Sequence, residues 1–248
     1  MLIYQSLDEF GQRCEVRRAG QSLRLYTDGT FHSQFNPARL IENNLWDLLW
    51  LPALLPAVPP RRVLVLGVGG GAVMRKLQKI LPNALLVGVD ISAEHLRIAR
   101  KVFGVKGRNV LLLEADALAF VRHYRGPAFD LIIDDLFATN GGEPQRVVAM
   151  DSSWLGALNP LLSARGQLTV NFAACAQYRQ ALPVVTGQGS FSALNAWQHR
   201  RFENTIGSFT RQLRPASTRL LLDSLTERLK ALAAGPVPCE ITLSAGSV

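Results

Sequence analysis

RVLVLGVGGGAV, residues 62–73, carries four apolar residues, Val63–Leu66, into a glycine cluster at Gly67, Gly69, Gly70 and Gly71. A helical pattern follows from Val73 to Leu81. The order is a buried strand, a tight turn and a helix whose N-terminus faces the turn. Glycine suits such a turn because the backbone takes unusual dihedrals and a ligand approaches without meeting a Cβ. Unpaired N–H groups at the helix start favour an anionic or electron-rich group. A second apolar run, Leu85–Val89, ends at Asp90, where a carboxylate can accept from both hydroxyls of a ribose. Each feature has a plainer reading, a ligand-free turn and a cap for the helix after Ser92. In this order and spacing they point together to a ligand containing a nucleoside. Gly67, Gly69 and Ala72 also satisfy the looser dinucleotide spacing, which leaves a nicotinamide-dependent oxidoreductase as a competing reading.

Outward from this unit the chain alternates. Strands are predicted at Val63–Leu66, Leu85–Val89, Val110–Glu114, Leu131–Ile133 and Gly166–Val170. Helices are predicted at Val73–Leu81, Ala93–Phe103, Ala117–Tyr124 and Ser153–Leu161. That alternation predicts an α/β fold with a mostly parallel sheet and ligand loops at the strand C-termini. After Asn171 the pattern predicts a helix at Gln177–Val185, an antiparallel hairpin from Phe191–Trp197 and Asn204–Thr210, an amphipathic helix at Ser217–Ala234 and a short strand at Cys239–Leu243. Before Arg62 lie extended runs at Cys14–Arg18 and Ser22–Tyr26, a turn at Asp28-Gly29, a helix predicted over Ala38–Leu51 and a proline-rich connection. Residues 1–59 are thus read as a small β arm with a linker helix, and residues 60–248 as the ligand-binding domain.

Three further features fall at strand ends. Asp116, followed by Ala117, can accept from an adenine amino group or cap the next helix. In Asp134-Asp135, neighbouring side chains point to opposite faces, so one carboxylate enters the site. Asp135 is that candidate, as a group that orients or deprotonates an amine; a solvated loop acid is the alternative. Asn140-Gly141-Gly142 reads as a lid or a surface loop.

The composition limits the rest. With 248 residues, 48% of them hydrophobic, the chain can build a substantial core. The apolar stretch near Leu45–Val58 holds Asp47 and prolines and is too short to span a membrane. Cys14, Cys175 and Cys239 lack metal-ligand spacing and suit a reducing compartment, so a soluble, cytoplasmic protein without a metal is expected. No Ser-His-Asp layout appears, and His95 and His123 are read as structural. The net charge of +8 comes from scattered Lys and Arg without an aromatic-studded basic stripe, so it is read as solvated surface and not as a nucleic-acid site.

The segments VLVLGVGGGAVMRKL, VGVDISAEHLRIAR, LLLEADALAFV and FDLIIDD resemble the spermidine synthase (polyamine aminopropyltransferase) family. The resemblance implies a class I methyltransferase-like, Rossmann-like fold. It also implies that Gly67, Gly69 and Gly71 cradle the amino-acid end of an S-adenosyl ligand, that Asp90 with Ile91 holds the ribose, and that Asp116 and Ala117 hold adenine. Asp135 would serve the attacking amine, and Gln34 would face the nucleoside. S-adenosylmethionine or its decarboxylated form is the implied co-substrate, with a small-molecule acceptor and a homodimer. The family's pattern carries an acid at the position of Gly70, an aspartate-proline after the fourth strand and a tyrosine-histidine-glutamate near Leu45-Trp46-Asp47; this chain lacks all three. A cationic polyamine needs carboxylates and aromatic faces to replace its hydration, so the expectation leans to methyl transfer, with aminopropyl transfer as the alternative and a non-catalytic nucleoside-binding protein as a third.

Overall fold

The computed structural model describes residues 1–140, 143–188, 191–211 and 217–246. Four strands, β1 (Leu2–Leu7), β2 (Arg13–Ala19), β3 (Ser22–Thr27) and β4 (Thr30–Phe35), form an antiparallel meander in sequence order. The main unit then runs α1 (Leu45–Trp50), β5 (Arg62–Leu66), α2 (Ala72–Ile80), β6 (Leu85–Asp90), α3 (Ala93–Lys101), β7 (Val110–Glu114), α4 (Ala117–His123) and β8 (Phe129–Asp134). A two-stranded ribbon follows, β9 (Phe137–Asn140) and β10 (Glu143–Arg146), then α5 (Ser152–Leu158), β11 (Leu162–Phe172) and α6 (Cys175–Gly187). The chain continues through β12 (Ala193–His199), β13 (Thr205–Thr210), α7 (Thr218–Ala231) and β14 (Ile241–Gly246). Gly141 and Gly142, expected in a lid or surface loop, lie outside the described residues.

The large sheet has the order β14-β12-β13-β11-β8-β5-β6-β7, with β11 to β7 parallel and the other three antiparallel. This is the α/β, mostly parallel, Rossmann-like architecture with a C-terminal antiparallel part and an N-terminal β arm. Its centre is covered on both faces, which is why β5 is continuously apolar. Val63 and Val65 enter the core with α1, α2 and α7, while Leu64 and Leu66 enter the one with α4, α5 and α6. The period of two along the strand makes that division.

The expected helix over Ala38–Leu51 is shorter. It begins at Leu45 because Asn44 caps it reciprocally with Asp47. The Asp47 carboxylate also accepts from the Glu42 N–H at 2.7 Å and from the Trp50 indole at 3.1 Å, so the preceding residues wrap over it instead of continuing a helix. Burial pushes the Asp47 carboxyl up to about 6 against these donors.

The arm and the sheet share a core. Cys14, Val16, Leu25 and Phe35 pack with Ala72, Ile98 and Phe103. Tyr4 donates to Glu94 of α3 at 2.7 Å. A buried ion pair, Lys76 Nζ to Glu42 Oε1 at 2.7 Å, ties the segment before α1 to α2, and Lys76 also donates to the Arg39 carbonyl at 2.6 Å. Among the described residues no helix is long and apolar enough to cross a membrane.

Candidate functional site

A cavity of about 990 Å³ opens at the C-terminal ends of the parallel strands, beneath the arm. Its floor is the glycine turn. Gly67 has φ +84°, and a Cβ there would stand 2.2 Å from the Asp135 carbonyl oxygen. Position 67 is therefore where the β5 turn and the β8 end touch, backbone against backbone. Gly69 lines the cavity beside Val68. Gly71, expected to cradle ligand, does not line it; a Cβ there would meet Val105 Cγ2 at 2.5 Å, so this glycine serves the packing of α2 against the segment after α3. Gly70 likewise has a packing cause, since a Cβ would lie 2.8 Å from the Phe103 ring and 3.0 Å from Ser33 of the arm. An acid at position 70 has no room while Phe103 occupies that space.

Asp90 lines the cavity, and its bonds go to the turn. Oδ2 accepts from the N–H groups of Val68 and Gly69 at 2.8 and 2.9 Å, and Oδ1 accepts from Ser92 N–H at 2.9 Å. His95 Nδ1 faces Oδ1 at 3.7 Å, and its Nε2 pairs with the Thr27 hydroxyl at 2.9 Å. Three of about four acceptor positions on the carboxylate are taken by backbone donors, so Asp90 holds the turn in shape. Burial opposes a charge on His95, but the facing Asp90 carboxylate outweighs it and raises the imidazole to about 10. His32 lies beside it, ring centroids 5.7 Å apart. Burial, reinforced by that neighbouring imidazole, lowers His32 to about 4.

On the β6–β7 side, Ile91 is 56% exposed, an apolar side chain on the cavity rim. Asp116 caps α4, its Oδ1 accepting from Leu118 N–H at 2.8 Å, and lines the cavity with Ala117. Gln34 departs from expectation. Its amide oxygen accepts from Arg24 at 2.8 Å, its nitrogen donates to Glu42 at 3.2 Å, and it is not among the cavity-lining residues. Phe31, His32 and Ser33 of β4 face the cavity instead.

On the β8–β11 side the two aspartates separate. Asp134 is fully buried and accepts from Arg146 Nη2 and the Trp154 indole, both at 2.9 Å. Asp135 lines the cavity, and Asn171 Nδ2 donates to its Oδ1 at 2.7 Å. Burial raises its carboxyl to about 6, Asp134 adds to the rise, and Asn171 and Arg146 hold it down. Trp46, edge-on to Phe31 at 4.8 Å, shares the lining with Phe137 and Phe202. A weakly basic carboxylate in an apolar and aromatic recess can take a proton from an amine near neutral pH.

Sequence reasoning missed His32, Asn171 and Asn204. Asn171 was findable, as a polar residue ending a buried run at a strand C-terminus. Asn204 gave no local signal. Among the described residues no three metal-ligating side chains converge.

Residues 63–155 match the methyltransferase domain family. A polyamine aminopropyltransferase 2 of Caldanaerobacter subterraneus subsp. tengcongensis is 30% identical over 152 residues, which are 60% of this chain and 48% of that protein. The chain spans about half the length, or less, of the first curated relatives it matches. Among solved structures, a probable spermidine synthase from Corynebacterium glutamicum superposes with a TM-score of 0.76 at 16% identity, covering 97% of this chain and 90% of that one. A spermidine synthase in complex with the transition-state analogue AdoDATO gives 0.66 at 14% identity, covering 95% and 79%.

Proposed function

We propose that this chain, spermidine-synthase-like in sequence and fold and with a methyltransferase-type domain, transfers an aminopropyl group from decarboxylated S-adenosylmethionine to a small amine. Asp135 carries the reading, as a carboxylate raised to about 6 beside the glycine turn. The amine lone pair attacks the aminopropyl carbon bonded to the sulfonium. The carbon–sulfur bond breaks, its electron pair stays on sulfur as a neutral thioether, and the new ammonium gives its proton to Asp135. Holding the two reactants in line supplies much of the acceleration. Gly67 to Gly69 and Ile91, Asp116 and Ala117 would receive the adenosyl part, with Asp90 shaping the turn beneath it. The small-molecule acceptor and a homodimer belong to the same reading.

Methyl transfer, the first expectation from the sequence, gains less support. It leaned in part on the family acid missing at Gly70, and Gly70 has a packing cause in Phe103 and Ser33. The curated relative named above is also a polyamine aminopropyltransferase by name.

Calorimetric titration with decarboxylated and intact S-adenosylmethionine tests the proposal. Preference for the decarboxylated form, with product formed from 1,4-diaminobutane, is the expected result. Preference for the intact form restores methyl transfer, and tight binding with no turnover of any amine indicates a nucleoside-binding protein. In the same assay Ile91→Ser is expected to weaken the donor roughly fivefold, about 1 kcal/mol of apolar cover, without changing thermal stability. Unchanged affinity would remove Ile91 from the nucleoside wall.

A further inference from the structure

Asp135, Asn171 and Asn204 stand in a row. They come from the end of β8, the end of β11 and the residue before β13, three strands adjacent in the order β13-β11-β8. Asn204 Nδ2 donates to Asn171 Oδ1 at 3.0 Å, and Asn171 Nδ2 donates to Asp135 Oδ1 at 2.7 Å. We propose that Asn171 and Asn204 are positioning residues for Asp135, which makes the turn between β12 and β13 a working part of the acceptor site. The inference rests on the transfer reaction proposed above for its kinetic readout alone.

The physical reason lies in the amide. A primary amide presents a donor from one end and an acceptor from the other. Asn171 helps Asp135 only with its nitrogen forward; turned over, it would set a carbonyl oxygen against a carboxylate. Asn204 decides the matter by donating to the Asn171 oxygen, so the nitrogen is left to Asp135. Oδ1 of the carboxylate is thereby engaged and its plane is held, and Oδ2, which takes no hydrogen bond from the described residues, is left to meet an amine.

Both ends of the row are braced. Arg146 donates to the Asn171 backbone carbonyl and to Asp134, and its guanidinium lies over the Phe172 ring at 5.7 Å. The turn is held by His199, whose carbonyl accepts from Phe202 N–H at 3.0 Å and whose Nδ1 accepts from Arg201 N–H at 3.1 Å. With Nδ1 accepting, the ring proton sits on Nε2, which pairs with Asn43 Oδ1 at 3.0 Å. Phe202 and Glu203 of this turn also line the cavity, so an acceptor that touches them bears on the residue that orients Asn171.

The test uses Asn171→Leu and Asn204→Ala. The charged groups acting on Asp135 are Asp134, Arg146 and Asp90, and neither variant alters them. In the apoprotein, the Asp135 carboxyl is titrated by carbon-13 NMR. Losing a donor to the ionised form raises a carboxyl pKa, so both variants are expected to titrate higher than wild type, Asn171→Leu by more. With decarboxylated S-adenosylmethionine and 1,4-diaminobutane, Asn204→Ala is expected to lower kcat roughly tenfold. Donor KM should hold, and the acidic limb of the pH profile should move upward. An unmoved carboxyl titration with unchanged kcat in Asn204→Ala overturns the inference. Asn204 is only half-buried, so this variant decides even where Asn171→Leu does not fold. If wild type binds no S-adenosyl ligand, the proposed function fails, yet the NMR titration still reports on the row.

Discussion

Asp135→Asn is expected to slow transfer roughly 10²–10⁴-fold, the usual worth of a positioned acid or base, while the affinity for the S-adenosyl ligand stays within about twofold of wild type. The asparagine keeps the shape of the side chain but cannot take a proton. Wild-type activity should fall tenfold per pH unit below about 6, where the carboxyl protonates, and the variant's residual activity should lack that limb. Stability moves the other way. The folded carboxyl titrates at about 6 against 3.8 for its ordinary value, so the folded chain binds the proton more tightly than the unfolded one. That contribution is fully favourable below 3.8 and is lost as pH rises through about 6. Removing the charge should therefore stabilise the protein at pH 7, and the gain should vanish by pH 3.5. Thermal melts across that range, paired with single-turnover rates, check both halves. A variant with near-wild-type turnover would remove Asp135 from the chemistry.

Gly67→Ala is expected to be the most damaging change that adds a single methyl group. Its Cβ would fall 2.2 Å from a backbone carbonyl, which has no rotamer to escape by, and φ at this residue is +84°. Strain at such a φ costs about 1–3 kcal/mol, and overpacking costs about 1–3 kcal/mol more. The strand ends can part only by moving Asp135, so the same substitution should lower both the melting temperature and the transfer rate. Equilibrium denaturation with parallel kinetics would show it. Loss of stability of less than about 1 kcal/mol would mean that the β5 and β8 ends yield easily.

Much of the architecture was readable because it rests on local rules. A continuously apolar run at Val63–Leu66, a glycine cluster and an acid at the end of Leu85–Val89 specify strand, turn and strand without knowledge of distant neighbours. The adjacent acids of Asp134-Asp135 could be assigned to opposite sides from strand geometry, and the cavity holds Asp135 while Asp134 is buried under Arg146 and Trp154. What escaped depends on contacts far apart in the chain. Gln34 is claimed by Arg24 across the β3–β4 pair and by Glu42, and nothing near it in sequence announces that. The start of α1 is decided by Asp47 folding back on its own cap, a tertiary choice that overrides the helical spacing of Leu40 and Ile41. His32 enters the site because β4 lies against α3, which brings it beside His95. Asn204 reaches Asn171 only once the antiparallel hairpin has closed.

The Glu42–Lys76 pair has a consequence for how such a chain can be recombined. Each partner is almost wholly shielded from water, with side-chain exposures of 2% and 4%, and stranding one such charge costs about 3–5 kcal/mol. The two positions lie on opposite sides of the proline-rich connection, where a chimera would most naturally be joined. A graft at that joint must therefore bring an acid to position 42, or a neutral residue to position 76, in the same step. Arm and sheet look separable in topology, but this pair makes them one unit to exchange.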